Sequence, residues 1–399
     1  MTEAARQTST IELPDFVSID GPVALNAYQR AAHLTDKMPA DDFLTPVLGA
    51  FGEVGGLVAA LKKQRREGAA YPTYHAEILE ELGDVLWYLA AIATRANLDL
   101  SALAGTGERS GDEKATFQSI SASAGSIAVT EALVELASEA GALVGALHAR
   151  NPMWQARVRS MLQQIALAAT TAGIDLDRAA RLNLEKVFGR WPLRHVYPPI
   201  GDDNLPLTEQ LPRRFNIFIE EHTVNGKTYV LQKRNGVIVG DRLTDNKAKL
   251  DDYRFHDVFH IAYAVHLGWS PVLRSLFHIK RKSRPELDEN EDGARAILIE
   301  EGIATFIFGR ASERTLFKGL DRLDYDLLKI ARNFVRGYEA ERCAAWQWEL
   351  AILDGFKVFR ELAVHRRGWV VADLARHSLE FKLAGEFHNP GDDEYCPVS

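Results

Sequence analysis

The N-terminal half of the chain is organised around residues 76–92, which read AEILEELGDVLWYLAAI. Their apolar residues recur with the period of an α-helix and form one stripe: Ile78, Leu79, Leu82, Val85, Leu86, Leu89 and Ile92. Glu77, Glu81 and Asp84 are spaced at i, i+4 and i+7, so a helix places these three carboxylates on one face. Like charges at this spacing repel by roughly 0.2–0.5 kcal/mol per pair. The pattern therefore predicts either a solvated acidic face or a cation site.

An upstream segment favours the cation site. Residues 47–65 predict a second helix, in which Glu53 is the one acid on an otherwise apolar segment. If the two helices run antiparallel, Glu53 comes to lie opposite Glu81 and Asp84. Carboxylates with no Cys or His nearby favour Mg²⁺ or Mn²⁺ over zinc.

Four short motifs resemble the MazG-type nucleoside triphosphate pyrophosphohydrolases. They are Tyr28-Gln29, GEVG at 52–55, LKK at 61–63 and EELGDVLWYL at 80–89, and the resemblance covers residues 23–100. It implies an all-α helical bundle that cleaves nucleoside triphosphates to monophosphate and pyrophosphate. It also implies Mg²⁺ held by an ExxE pair and a later ExxD pair.

Carried over by position, the resemblance assigns Glu53 to ExxE and Glu81 and Asp84 to ExxD, as catalytic metal ligands. The second acid of ExxE falls on Gly56, where this chain departs from the pattern. Glu77 or Glu80 is the hypothetical replacement, as a fourth ligand or as the base.

The candidate substrate-binding residues are basic or aromatic. Lys62, Lys63 and Arg65 are expected to neutralise the triphosphate, and Trp87 or Tyr88 to border the base, although both aromatics also suit a bundle core. Further on, Asn183, Lys186 and Arg190 resemble the closing Asn/Lys/Arg signature of the family. They are expected to reach triphosphate oxygens or, alternatively, to be an ordinary basic helix end.

An internal repeat connects these two regions. The run SEAGALVGAL at 138–147 echoes GEVGGLVAAL at 52–61, and AGIDL at 172–176 echoes ANLDL at 96–100. On this alignment Glu81 and Asp84 fall on Arg157 and Ser160. We therefore predict a second, degenerate copy that completes the bundle in the place of a second subunit. Coincidence between two Ala-rich amphipathic helices is the alternative.

Composition limits the class of protein. The chain has 399 residues, 46% of them hydrophobic and 26% charged, with a net charge of −8 and two cysteines. These values predict a soluble, cytoplasmic protein without a disulfide scaffold and without general nucleic-acid binding. We expect no signal peptide and no apolar run of membrane-spanning length. A homodimer remains open.

The helical patterning, and the positions of the Gly-, Pro- and Ser-rich segments that interrupt it, predict a mostly α chain in two parts. Asn-Gly pairs at 225–226 and 235–236 separate three β-rich runs, which predicts a small antiparallel meander in a C-terminal α+β domain with several helices. The predicted segments are a flexible tail (1–20), the first MazG-like copy (21–104), a linker (105–125), the second copy (126–193), a linker (194–212), the C-terminal domain (213–385) and a tail (386–399).

The C-terminal domain contains a second candidate metal site. His256 and His260 are spaced at i, i+4, and Glu300-Glu301 follows forty residues later, which together make a zinc-type ligand set. The pattern resembles HExxH…EEGxA zinc peptidases, with Asp257 in place of the general-base Glu. It also resembles HD-type phosphohydrolases, although no outer ligands are evident. Hydrogen-bonded pairing of these groups without Zn²⁺ or another divalent ion is the plain alternative.

The sequence thus predicts a Mg²⁺-dependent nucleotide pyrophosphohydrolase. Two other readings stay open. In one, the C-terminal domain is a His/His/Glu metallohydrolase and the bundle senses nucleotide. In the other, the bundle is a silent nucleotide-binding or assembly module.

Overall fold

The computed structural model describes residues 11–18, 20–105, 115–120, 127–149, 153–313 and 315–387. The described chain divides into two compact units, and the boundary in the sequence lies between Arg194 and His195. The first is helical, and the second combines helices with a five-stranded antiparallel sheet. The predicted fold class is confirmed.

Seven helices make up the described part of the N-terminal unit: α1 (Leu25–Thr35), α2 (Leu44–Glu67), α3 (Tyr74–Arg95), α4 (Leu100–Ala104), α5 (Val129–His148), α6 (Trp154–Thr171) and α7 (Leu176–Arg190). Helix α2 packs against α3 and α5, and α6 packs against α5 and α3. Helix α7 lies along α3. The two predicted copies thus contribute one helix pair each to a single bundle.

Helix α3 forms as its apolar stripe predicts. Ile78, Leu82, Val85, Leu86 and Leu89 are all buried in the bundle core. Burying each of these side chains contributes about 1.5–3 kcal/mol, which outweighs the repulsion among the acids on the same helix. The acids are therefore held close together by the packing of the opposite face.

Two segments predicted as a tail and a linker contribute to the core in their described parts. Val17 is buried, and the carbonyl of Ser18 accepts a hydrogen bond from Arg181 of α7. Phe117, in the predicted linker, packs edge-on against Tyr28 with ring centroids 5.2 Å apart. Val17 and Phe117 are single buried apolar residues in otherwise polar or Gly- and Ser-rich segments, so composition alone did not predict their burial. The outer tail, 388–399, and residues 106–114 lie outside the described residues.

Helix α2 with its 3₁₀ extension, Leu44–Ala70, is long and apolar enough to cross a membrane by length and composition alone. It is the one such helix in the described chain, with a mean hydropathy of 1.6 over the relevant window. The expectation that no apolar run reaches this length is therefore wrong for α2. Core helices of soluble proteins meet the same criterion.

The sheet of the C-terminal unit has the strand order β3-β2-β1-β4-β5. Its strands are β1 (Arg214–Val224), β2 (Lys227–Arg234), β3 (Val237–Leu243), β4 (Arg367–Asp373) and β5 (Ser378–Lys382). The predicted meander supplies the first three, and Asn225 and Asn235 adopt positive φ in its two turns. The last two strands were not predicted and extend the sheet beyond β1.

The helices of this unit are α8 (Asp257–Leu267), α9 (Pro271–Leu276), α10 (Pro285–Asn290), α11 (Ala294–Ser312), α12 (Tyr325–Phe334) and α13 (Ala345–His365). Every residue of α8 is buried, which makes it the central helix of the unit. It packs against α13 and, at its N-terminal part, faces α11. Polar side chains on α8 therefore need partners inside the protein.

Candidate functional site

The carboxyl groups of Glu53 on α2 and Glu81 on α3 meet between the two helices. They are hydrogen-bonded to each other, and Asp84 and Glu80 are close enough to raise the pKa of both by charge repulsion. Antiparallel packing of α2 and α3 produces this arrangement, because it places the one acid of α2 opposite the acidic face of α3. Three residues predicted as catalytic ligands are thus brought together.

Burial and mutual repulsion change the protonation of this pair. Partial burial, the hydrogen bond that Glu81 donates to Glu53 and the charges of Glu53, Asp84 and Glu80 raise the pKa of Glu81 to about 8. The pKa of Glu53 is also raised, chiefly by burial. Without a cation the pair therefore holds one proton near neutral pH.

Gly56 lies directly beside the pair. A Cβ at this position would be 2.6 Å from Glu81 Oε2, so the carboxyl group of Glu81 occupies the space next to the glycine. In the pyrophosphohydrolase family that the motifs resemble, the second acid of ExxE occupies this position. Here the carboxyl group of Glu81, from the neighbouring helix, takes up that space.

Asp84 is held by a chain of hydrogen bonds from two other helices. Tyr28 of α1 donates to Asn183 Oδ1 at 2.9 Å, and Asn183 Nδ2 donates to Asp84 Oδ1 at 2.8 Å. Lys186 Nζ bonds the other oxygen of Asp84 and lies 3.1 Å from Glu80 Oε1. Asn183 and Lys186, predicted to reach triphosphate oxygens, contact the acids in this structure.

Close packing of α3 against α7 makes this contact possible. A Cβ on Gly83 would lie 2.9 Å from both the carbonyl oxygen of Ala179 and the Cβ of Asn183. A glycine next to Asp84 therefore lets Asn183 approach it.

The two candidates for the fourth acid differ in position. Glu77 bonds the hydroxyl groups of Tyr71 and Thr73 and lies 3.7 Å from Lys63, so it serves the turn that joins α2 to α3. Glu80 instead shares Lys186 with Asp84. Glu80 thus shares a partner with Asp84, whereas the contacts described for Glu77 are with residues of the turn and with Lys63.

Most of the predicted substrate-binding residues lie apart from the acids. Lys63 sits 3.9 Å above the ring of Tyr71, Arg65 bonds Thr130 on α5, and Lys62 is exposed. Trp87 donates to Thr35 at 2.9 Å and packs edge-on against Tyr88. Arg190 lies over the ring of Trp191. Tyr88 is close to the acids, because burial and the charges of Glu53 and Asp84 raise its pKa.

The aligned positions of the second helix pair provide an internal comparison. Glu139 of α5 aligns with Glu53, and Arg157 of α6 aligns with Glu81. These two side chains form an ion pair, with Arg157 Nη1 3.2 Å from Glu139 Oε2. The second pair thus carries its own cation where the first pair has two acids. The duplication itself stays a prediction.

One carboxylate oxygen of the N-terminal cluster lacks a partner. Glu81 Oε2 is buried and has no hydrogen-bond partner among the described residues. Glu53, Glu81 and Asp84 offer the oxygen ligands that Mg²⁺ or Mn²⁺ prefers. Among the described residues, however, the group of three ligand atoms within 4.8 Å of one another lies in the C-terminal unit and not here. An ion there would offset the repulsion that raises the pKa of the pair.

A second cluster lies in the C-terminal unit, between the start of α8 and α11. Ligand atoms of His256, His260 and Glu301 lie within 4.8 Å of one another, and such a group can hold a metal ion. Glu300 Oε1 is 2.9 Å from His260 Nδ1, and Asp257 Oδ1 is 3.2 Å from His256 Nε2. All five residues predicted for this site are therefore brought together.

Burial by itself lowers the pKa of His260, but the charges of Glu300 and Glu301 outweigh it and raise this pKa well above its usual value. One contact was not predicted. Gln232 of β2 donates its amide to Asp257 Oδ2, which fixes that carboxylate. No short-range sequence signal links a strand residue to a helix start 25 positions later.

One comparison with known proteins concerns the C-terminal unit. Residues 196–385 match the family model described as the MazG C-terminal domain. The match does not include the N-terminal unit, where a MazG pyrophosphohydrolase domain is not identified. No curated protein and no solved structure matches the chain.

Proposed function

We propose that this MazG-related chain is a Mg²⁺-dependent nucleoside triphosphate pyrophosphohydrolase whose active site is the acid cluster of the N-terminal unit. The main observation that supports this proposal is the hydrogen-bonded pair Glu53–Glu81 on two neighbouring helices, with Asp84 nearby. The C-terminal match supports a relation to MazG proteins, and the motifs around Glu53 and Glu81 suggest the reaction.

The proposed ligands of the ion are Glu53, Glu81 and Asp84. When bound, a divalent ion polarises phosphoryl oxygens and lowers the pKa of a coordinated water. Glu81 must lose its proton for this role, because only the carboxylate binds a metal ion. Asn183 and Lys186 hold Asp84 in place, and Tyr28 fixes the amide of Asn183.

Glu80 is the proposed proton acceptor. It lies one residue before Glu81, is half-buried and shares Lys186 with Asp84. The ammonium group of Lys186 carries a positive charge close to the acids, and we assign it a second role in attracting the triphosphate. The reaction is attack of water on the α-phosphorus, with departure of pyrophosphate.

The test is pyrophosphate release from a panel of nucleoside triphosphates with Mg²⁺, comparing wild type with Glu81→Gln. Glutamine keeps the shape of the side chain and removes a metal-binding charge, so we expect at least a hundredfold loss of turnover. The matched control is Glu139→Gln, the aligned acid of the second helix pair, which we expect to retain turnover. Reaction in ¹⁸O-labelled water should place the label in the monophosphate.

The other outcomes have definite meanings. Equal turnover by wild type and Glu81→Gln would refute the proposal. Loss of turnover only in His260→Ala would move the chemistry to the C-terminal unit. Binding of nucleotide without turnover in wild type would leave the bundle as a silent nucleotide-binding module.

A further inference from the structure

The histidines at the start of α8 have one ring nitrogen each committed to a hydrogen bond. His256 Nδ1 lies 2.9 Å from the carbonyl oxygen of Tyr253, which can only accept. Nδ1 of His256 therefore carries the hydrogen, and its Nε2 presents a lone pair in the neutral ring.

The tautomer of His260 follows from the partners of Glu300. That carboxylate accepts from Ser270 Oγ at 2.7 Å and from the backbone N–H of Val272 at 2.8 Å. It is completely buried, and an ionised carboxylate can accept hydrogen bonds but cannot donate them. His260 Nδ1 therefore donates to it as well, so in the neutral ring it is Nε2 that presents the lone pair. This is the carboxylate–histidine pairing that orients metal-binding imidazoles.

The Nε2 atoms of both rings face the carboxylate of Glu301, and that of His256 also lies 3.2 Å from Asp257 Oδ1. His260 Nε2 is 3.5 Å from Glu301 Oε1, and His256 Nε2 is 3.7 Å from Glu301 Oε2. These separations are longer than an N–H···O hydrogen bond, which has a length of about 2.7–3.2 Å. They are close to the spacing of about 3.4 Å between neighbouring ligands that each lie about 2.0–2.1 Å from a tetrahedral zinc ion.

His260 Nε2 supplies an independent indication. It is buried, and it has no hydrogen-bond partner among the described residues. The whole side chain has 0% exposure, so water does not satisfy this atom from outside. An unsatisfied buried polar atom costs about 1–3 kcal/mol, and a bound cation removes that cost.

We propose that the C-terminal unit binds one divalent transition-metal ion through His256 Nε2, His260 Nε2 and the carboxylate of Glu301. Two imidazoles and a carboxylate suit Zn²⁺ better than Mg²⁺. Three protein ligands leave an open position, as in catalytic zinc sites. The Glu301 side chain is 38% exposed, so the site opens to solvent on that side and can take water or an anionic oxygen of a substrate.

Two further carboxylates have supporting roles. Glu300 is a positioning residue that acts through His260. Asp257, fixed by Gln232, borders the site next to His256 and is placed to accept a proton from a group bound at the open position. The proposal is independent of the acid cluster in the N-terminal unit.

The experiment is titration of chelator-treated, full-length protein with Co²⁺, followed by visible absorption and then by displacement with Zn²⁺. It is done in the Glu81→Gln background, so that the N-terminal acids do not contribute. We expect one equivalent of Co²⁺ with the strong absorption of four- or five-coordinate cobalt. His260→Ala should abolish this signal.

The matched control is His266→Ala. His266 lies on the same helix and is also buried, but its Nε2 is 2.9 Å from Asp354 on α13. This variant should keep one equivalent. Glu300→Gln should keep the stoichiometry and weaken Zn²⁺ binding about 10–100-fold, as loss of a supporting carboxylate does.

A third variant covers a folding failure of His260→Ala. Glu301→Gln changes a partly exposed side chain, so the fold should tolerate it, and it should weaken Co²⁺ binding at least tenfold. The proposal is overturned if the Glu81→Gln protein with an unchanged C-terminal unit binds no Co²⁺ with this absorption. It is equally overturned if Glu301→Gln, or a folded His260→Ala, binds as wild type does.

Discussion

Metal binding to the Glu53–Glu81 pair should release a proton. The pKa of Glu81 is raised to about 8, whereas a metal ligand must be the carboxylate. At pH 7 a group with this pKa is about 90% protonated, so each bound Mg²⁺ should displace about 0.9 proton from the pair. At pH 8.5 the group is only about 24% protonated, and the release should fall accordingly.

The same linkage fixes how affinity depends on pH. Competition by the proton weakens Mg²⁺ binding by a factor of one plus the ratio of protonated to ionised Glu81. That factor falls from about 11 at pH 7 to about 1.3 at pH 8.5, so affinity should rise about eightfold across this interval.

Isothermal titration calorimetry in two buffers of different ionisation enthalpy measures the number of protons released. Glu81→Gln removes the titrating group and should bind Mg²⁺ weakly with no proton release. The reasoning fails if wild type binds Mg²⁺ at pH 7 without releasing protons, or if its affinity is the same at pH 7 and pH 8.5.

Three further predictions concern stability. Because the pKa of Glu81 is higher in the folded protein than the unfolded value near 4.5, protonation of Glu81 stabilises the metal-free fold, and this contribution is lost as pH rises through about 8. Metal-free protein should therefore melt at a lower temperature at pH 8.5 than at pH 6. Saturating Mg²⁺ should reduce this difference. Asp202→Ala leaves Arg274 buried without its 2.7 Å partner and should cost about 3–5 kcal/mol in urea unfolding of the C-terminal unit, whereas Glu313→Ala, in an exposed pair, should cost about 0–1 kcal/mol. Gly83→Ala should cost about 1–3 kcal/mol, because its methyl group meets the Ala179 carbonyl, while Gly145→Ala, with open space around it, should not destabilise.

Periodicity in the sequence predicted the helices that carry both sites. The apolar stripe around Leu82 and Leu86 and the spacing of His256 and His260 are local patterns, and local patterns determine which face of a helix is buried. The convergence of Glu53 with Glu81 followed from assuming an antiparallel helix pair. That assumption needs only a short connection between the two helices.

Features that depend on distant partners could not be predicted. Arg281 lies in the basic run 280–284, which reads as a solvated loop, yet its guanidinium is buried against Asp292 and Glu339. The strands β4 and β5 follow α13 directly, since Arg366 alone, at φ 63°, ends that helix. A helix that ends on a non-glycine residue in the left-handed region gives little warning that a strand begins.

The roles of Lys186 and Glu77 also depended on tertiary contacts. Lys186 was predicted to face substrate, but α7 packs so closely on α3 that its ammonium group reaches Asp84 and Glu80 first. Glu77 shares a helix face with Glu81 in sequence, yet Tyr71 and Thr73 draw it toward the turn. The spacing of residues along a helix determines the direction in which each side chain points. Which partner it contacts depends on the neighbouring helices and turns.

Gly56 leaves the space that the carboxyl group of Glu81 occupies, so this space can hold either that carboxyl group or a side chain at position 56. A Cβ there would be 2.6 Å from Glu81 Oε2, and the atom that must yield is the end of a flexible side chain. An acid at position 56 and the present orientation of Glu81 therefore exclude each other. Grafting the missing carboxylate back into this chain would rebuild the whole cluster rather than add one ligand to it.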